Sequence, residues 1–283
     1  MKLTKQIDWL FRLVKGVIMA LGFILPGISG ATVAAILGLY ERILHFLANI
    51  RKDFKQNFLF FLPVGIGGIL GIGLLSGPLG FLVEHYPIAV LWGFAGVIVG
   101  TMPKFLKEST RQRKRNSGDV ATFLIVLVVS FLFLYFMGDL FGTIPANFGG
   151  FVVAGAILAF SVLVPGLSSS NLLIVLGLYT PMLVGFSEFD LLGVFLPMFI
   201  GGCALILVFS KMMDRLLQTF HTRTYHGILG IIAASTVLMV MPPVIDYSNT
   251  TVWLVISGVV AFGLGILLGW KLSRWEVHKV DEK

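Results

Sequence analysis

The chain alternates long uncharged apolar stretches with short polar ones. Six stretches stand out: Phe58–Leu75, Tyr86–Pro103, Val120–Gly138, Leu191–Ser210, His226–Ile245 and Thr251–Trp270. Each is long enough to cross about 30 Å of hydrocarbon as a helix. Two further apolar runs, Gly16–Tyr40 and Phe151–Leu183, are interrupted by Pro26-Gly27 and Pro165-Gly166. Pro removes a backbone donor and Gly relaxes the backbone, so a helix should stop there and restart near Ser29 or Ser168.

Charge decides how these runs cross. Every Lys and Arg falls in one of five clusters: Lys2–Lys15, Arg42–Lys55, Lys104–Arg115, Lys211–Arg223 and Lys271–Lys283. The connections Ser76–His85, Asp139–Gly150, Val184–Asp190 and Asp246–Asn249 hold none, and carry Glu84, Asp139, Glu188, Asp190 and Asp246 instead. If Gly16–Tyr40 spanned the bilayer, two basic clusters would face opposite sides and break the positive-inside rule. A re-entrant hairpin restores it, and the same parity makes Phe151–Leu183 a hairpin dipping in from the other face. The expectation is an all-α membrane protein with six spans, two re-entrant helical hairpins and both termini in the cytoplasm.

The chain also repeats itself. Leu25-Pro-Gly-Ile-Ser-Gly-Ala-Thr…Leu-Gly-Leu-Tyr40 aligns without a gap on Val164-Pro-Gly-Leu-Ser-Ser-Ser-Asn…Leu-Gly-Leu-Tyr179. Phe61-Leu-Pro-Val-Gly-Ile-Gly-Gly68 aligns on Phe195-Leu-Pro-Met-Phe-Ile-Gly-Gly202, and the same register places Gly93 and Gly96 on Gly227 and Gly230. The first repeat occupies 1–138, with an amphipathic N-terminus, a hairpin and three transmembrane helices. The second occupies 139–283, with a hairpin, three transmembrane helices and a basic tail. Three spans per half is an odd number, so the halves enter the bilayer from opposite sides, the inverted-repeat plan of secondary transporters.

Composition narrows the class. The sequence is 57% hydrophobic and 12% charged, with mean hydropathy +0.95, outside the range of soluble domains. Met1–Lys15 spreads its charges through an amphipathic segment with no small-residue cleavage pattern beyond it, so the first segment is expected to stay in place. The net charge of +7 is distributed between apolar spans, which argues against nucleic acid as a partner. The single Cys203 excludes an intramolecular disulfide framework and reads as a buried thiol. No nucleotide loop, metalloprotease helix or nucleophile–base spacing is present, so nothing asks for an enzyme or a cofactor.

The candidate site lies at the helix breaks. A restarted helix presents unpaired N–H groups and the positive end of its dipole. Gly27, Ser29, Gly30 and Thr32 stand at one restart, and Gly166, Ser168, Ser169, Ser170 and Asn171 at the other. Two such cradles facing each other near the midplane suit a phosphate or carboxylate. A charge at the bilayer centre costs from about 3 to more than 10 kcal/mol, whereas one helix terminus returns about 0.3–2 kcal/mol, so several donors must converge. The plain alternative is that Pro26 and Pro165 kink packed helices while the serines cap them locally.

Other residues carry weaker signals. Glu84 and His85 could form a proton-linked pair, although a solvated loop is the ordinary reading. Glu41-Arg42 reads as an interfacial ion pair or helix end, with Arg42 a candidate contact for a lipid phosphate. His221 and His226 are five apart around a span boundary and, without carboxylate or cysteine partners, do not make a convincing metal site. Trp92, Trp253, Trp270 and Trp275 read as packing or interface residues.

The duplicated Pro-Gly-x-Ser and Leu-Gly-Leu-Tyr motifs resemble the bacterial membrane family long called a domain of unknown function and now associated with polyprenyl-phosphate translocation. The likeness runs from about Val14 to Trp270. It implies a transporter returning undecaprenyl phosphate, the lipid carrier of cell-wall synthesis, from the outer to the inner leaflet of the cytoplasmic membrane. The family's motifs fall on Pro26, Gly27, Ser29, Gly30 and Thr32, and on Pro165, Gly166 and Ser168. Where the family usually places glycine after the serine, the second copy reads Ser168-Ser169-Ser170-Asn171, which keeps its donor character. A transporter of a small soluble anion would use the same cradles with a closed aqueous pocket. A membrane-embedded lipid-phosphate phosphatase is a third reading. Coupling ion and homo-oligomerisation stay open.

Overall fold

A computed structural model describes residues 2–24, 29–166, 169–188, 190–242, 245–248 and 250–275. Pro26, Gly27 and Ser168, together with the side chains of Glu84 and Asn171, lie outside the described parts. The described residues form helices α1 (Lys2–Ile24), α2 (Gly30–Ile36), α3 (Tyr40–Ala48), α4 (Phe54–His85), α5 (Pro87–Ser109), α6 (Ser117–Phe141), α7 (Phe148–Leu163), α8 (Ser169–Val175), α9 (Tyr179–Ser187), α10 (Leu196–Thr219), α11 (His221–Met239) and α12 (Val252–Trp275). A wide turn, Leu191–Phe195, leads into α10 and is capped by Asp190 Oδ1, which accepts from the Gly193 N–H at 2.8 Å.

Among the described residues, five helical stretches are long and apolar enough to cross a membrane: Phe54–Leu75, Pro87–Ser109, Ser117–Met137, Leu191–Thr219 and Val252–Ser273. The span expected at His226–Ile245 is instead α11, which begins at His221 and ends at Met239. Its first turns, His221-Thr-Arg-Thr-Tyr-His226, are polar. It tolerates them because it is buried along its length against protein, so hydropathy undersells it. The amphipathic N-terminus and the first hairpin arm are one continuous helix, α1, rather than two segments. The connection expected at Ser76–His85 is also helical. α4 runs 32 residues through Pro63 and Pro78, about 48 Å at 1.5 Å per residue, well beyond the hydrocarbon thickness.

The second helix break falls where its proline demands. α7 ends at Leu163, and Val164 turns extended (φ −120°, ψ 106°), as a residue before Pro must. Gly166 follows at φ +96°, a conformation that a side chain would strain. The elements α2–α3 and α8–α9 have identical lengths and keep the register of the repeat, Gly30 against Ser169 and Tyr40 against Tyr179. The ends of α1 and α7, Ile24 and Leu163, fall in that same register. Between α2 and α3 the chain bends by 118°.

Packing repeats too, through glycines at which helices touch backbone to backbone. A Cβ on Gly16 would lie 2.0 Å from the Val64 carbonyl oxygen, and one on Gly155 1.9 Å from that of Met198. A Cβ on Gly67 would lie 2.0 Å from the Leu13 carbonyl oxygen, and one on Gly201 1.9 Å from that of Val152. These contacts seat α1 on α4 and α7 on α10. Across the halves, Gly96 of α5 lies against Phe262 of α12, and Gly230 of α11 against Phe123 of α6. Small residues are what allow such approach in lipid, where packing rather than water expulsion drives association. α5 and α11 also touch each other, forming the centre of the bundle.

One end of the bundle gathers basic clusters distant in sequence. Lys15 Nζ donates to the Leu37 carbonyl at 2.7 Å and Lys104 Nζ to that of Ile36 at 3.1 Å. Arg111 reaches Glu41, and Asn49 donates to Asp214 at 3.4 Å. At the same end α6 opens with a reciprocal cap. Asn116 Oδ1 accepts from the Asp119 N–H at 3.0 Å, and Asp119 Oδ2 from the Asn116 N–H at 2.8 Å. Arg113 closes on the fully buried Asp119 with two 2.7 Å bonds.

Gly96→Leu should force α5 from α12 because its Cβ would stand 2.1 Å from a backbone oxygen, whereas Gly73→Leu enters open space. Thermal unfolding of the detergent-purified variants should show Gly96→Leu destabilised by about 1–3 kcal/mol and Gly73→Leu close to the parent. Equal stability would contradict the packing described.

Candidate functional site

Ser29 is the N-cap of α2, extended at φ −95°, ψ 133°, with its carbonyl accepting from the Val33 N–H at 3.1 Å. Its hydroxyl makes no cap. It crosses instead to the other hairpin, donating at 2.9 Å to the Ser161 carbonyl, one helical turn before Pro165. The Tyr40 hydroxyl follows it, donating at 2.5 Å to the carbonyl of Leu163, the last residue of α7. Both bonds are buried. The start of α2 and the end of α7, one in each half of the sequence, are therefore neighbours. A carbonyl near a helix C-terminus lacks its intrahelical partner, and the first hairpin supplies one.

The second break is placed by α11. A Cβ on Gly166 would lie 2.8 Å from the Ile232 nitrogen and 3.0 Å from the Ile231 carbonyl carbon, so the bare backbone of the tip rests midway along α11. Ser29, Gly30, Thr32, Pro165 and Gly166 are buried, and Ser169 and Ser170 half-buried. The described cradle is thus closed in this conformation. Thr32, one turn beyond Ser29, is 2% exposed and its hydroxyl has no hydrogen-bond partner among the described residues. Such a group normally finds a partner, and an orphaned one carries a desolvation penalty of about 1–3 kcal/mol.

Two cations that the sequence does not point to stand behind the first cradle. Lys15 and Lys104 hold the C-terminal carbonyls of α2, the end of the dipole where positive charge is favoured. α2 has seven residues, so these ammonium groups sit about 10 Å from Ser29 along the helix. One comes from α1 and the other from α5, and no local spacing announces them.

The weaker candidates are not drawn into this centre. His85 ends α4, exposed, with Nδ1 3.0 Å from the Phe81 carbonyl and its ring stacked on Phe81 at 4.1 Å. Arg42 lies half-buried with Cζ 3.3 Å from the centroid of Phe60, and Arg12, paired with Asp8, lies 4.3 Å over the same ring. Trp92 donates from Nε1 to the Tyr247 hydroxyl at 2.9 Å, which fixes α5 to the α11–α12 connection.

Comparison with known proteins gives this geometry a context. Over 269 residues the chain is 25% identical to a polyprenyl-phosphate transporter of Vibrio cholerae, covering 89% of this chain and 83% of that one. Over 282 residues it is 27% identical to a polyprenyl-phosphate transporter of Staphylococcus aureus, covering 95% and 98% respectively. No solved structure matches. The undecaprenyl phosphate translocase-like family matches residues 24–253, a stretch that contains both helix breaks and the helices that hold them, and the chain belongs to that family.

Proposed function

We propose that this protein carries a polyprenyl monophosphate such as undecaprenyl phosphate across the cytoplasmic membrane, outer leaflet to inner, without chemical change to the lipid. The observation that carries the reading is the bond from the Ser29 hydroxyl to the Ser161 carbonyl, which joins the start of α2 to the end of α7. Family membership and the names of the relatives support the cargo. The matched element bounds and matched glycine contacts support two halves of one design inserted in opposite senses. The meeting of basic clusters at one end supports a cytoplasmic assignment for that end.

In this mechanism the phosphate enters between the tips and takes the donors of Ser29, Gly30 and Thr32 on one side and of Gly166, Ser168, Ser169, Ser170 and Asn171 on the other. The prenyl tail stays in lipid. Ser29 exchanges a carbonyl acceptor for an anionic one, and a hydrogen bond to a charged acceptor is the stronger. Thr32, without a partner among the described residues when the site is closed, gains one. Pro165, just past the end of α7, keeps that helix from continuing. Rocking of one half against the other then shows the head to each face in turn. Arg42, against the Phe60 ring, forms a holding point for the phosphate at the basic end. Glu84 and His85 would couple protons only by a route separate from the tips.

Ser29→Ala with Ser168→Ala should depress both binding and leaflet-resolved transport of a labelled polyprenyl phosphate in proteoliposomes. Parent-like rates, or competition by inorganic phosphate as strong as by the lipid, would count against this site and favour a small-anion carrier. Tyr40→Phe removes one bond of the closed state, worth about 0.5–1.5 kcal/mol. In a Cys203→Ser background, a cysteine at position 161 should then react about 2–10-fold faster with a water-soluble thiol reagent, as an equilibrium shifted by that energy requires. An unchanged rate would show that Tyr40 does not hold the tips together.

A further inference from the structure

A second polar centre lies at the basic end, apart from the tips. Glu41 lies in the first turn of α3, Glu108 in the last turn of α5, and His221 opens α11. One ligand atom from each lies within 4.8 Å of the others. Sequence neighbours offer this histidine no carboxylate, and the fold brings it two, from helices remote along the chain. His221 is 4% exposed and neither ring nitrogen has a hydrogen-bond partner among the described residues. Its Nε2 stops 3.5 Å from Glu41 Oε1. A buried imidazole aimed at two carboxylates with both nitrogens unsatisfied is short of a partner.

A positive group already marks the place. Arg111 sets Nη1 2.7 Å from Glu108 Oε1 and Nη2 3.8 Å from Glu41 Oε2, bridging both acids. Its side chain is 56% exposed on a long stem, free to swing into solvent. Tyr225 fixes the rest, its hydroxyl donating to Glu41 Oε1 at 2.6 Å and its ring lying 4.6 Å from that of His221. Such outer contacts orient metal ligands.

We propose that Glu41, Glu108 and His221 bind a divalent transition-metal cation of the zinc class, replacing Arg111 between the carboxylates. One imidazole, two carboxylates and a water make a four-coordinate set suited to that ion. Closing to ligand bonds of about 2.0–2.2 Å requires the two half-exposed glutamates to move inward. The ion would clip α3, which continues the first hairpin, to α11, on which the Gly166 tip rests. Metal at this end would thus bias whether the hairpins separate. The site stands or falls independently of the cargo.

The test is Zn2+ titration of chelator-stripped, full-length protein against a chromophoric competitor, with Co2+ absorption reporting tetrahedral ligation. One equivalent should bind, and His221→Ala, Glu108→Gln or Glu41→Gln should each weaken it at least about 10-fold. Arg111→Ala should bind as tightly as the parent or tighter, and His45→Ala, which removes the neighbouring histidine beside Asp214, should change nothing. The glutamine variants, at half-exposed positions, keep the test valid should His221→Ala fail to fold. Binding that survives all three ligand substitutions, or that is lost in His45→Ala instead, would overturn the proposal, as would the absence of binding in the parent.

Discussion

Backbone that stops being helical inside a bilayer must find partners in protein, because lipid offers none. Here the starts of α2 and α3 supply partners to the end of α7. The Ser29 and Tyr40 hydroxyls satisfy carbonyls at the end of α7, and Gly166 lies bare against α11. Without those bonds the carbonyls at the end of α7 would be left unpaired, at a cost of about 1–3 kcal/mol apiece. The surrounding helices hold the start of α2 beside the end of α7. Their glycine contacts set backbone-to-backbone distances that leave little room for drift.

Under the proposed function, the Ser29 hydroxyl is engaged by a neutral carbonyl, so an incoming phosphate would compete there only with a dipole. Lys15 and Lys104 hold carbonyls at the far end of α2, about 10 Å away along the helix, so their attraction on an anion at Ser29 would be attenuated by distance.

Much of this was legible in the sequence, for reasons that also mark its limits. Apolar run length reports contact with lipid, so helices with broad lipid-facing surfaces, such as Ser117–Met137, were placed closely. α11 begins more than a turn before its apolar run because it faces protein and tolerates His221, Arg223 and His226 near its start. Pro63 and Pro78 did not end α4, since in lipid no water competes for the backbone and helix remains the way to satisfy the other groups. The break at Pro165-Gly166 was readable because two local rules act together there, and the start of α2 at Ser29 fell where a restart was expected. The bond that joins them was not, since Ser29 looked like an ordinary cap and Ser161 carries no signal at all. The cluster of Glu41, Glu108 and His221 was hidden for the same reason, its members meeting only once α3, α5 and α11 have packed.

Most depends on where an anionic head sits when the protein holds its cargo. A structure determined with a polyprenyl monophosphate bound in a lipid nanodisc tests this directly. Phosphate density is expected between the tips, within hydrogen-bond distance of Ser29 and of the chain following Gly166, with the Ser29–Ser161 bond broken. Phosphate density confined to the basic end, with that bond intact, would contradict it.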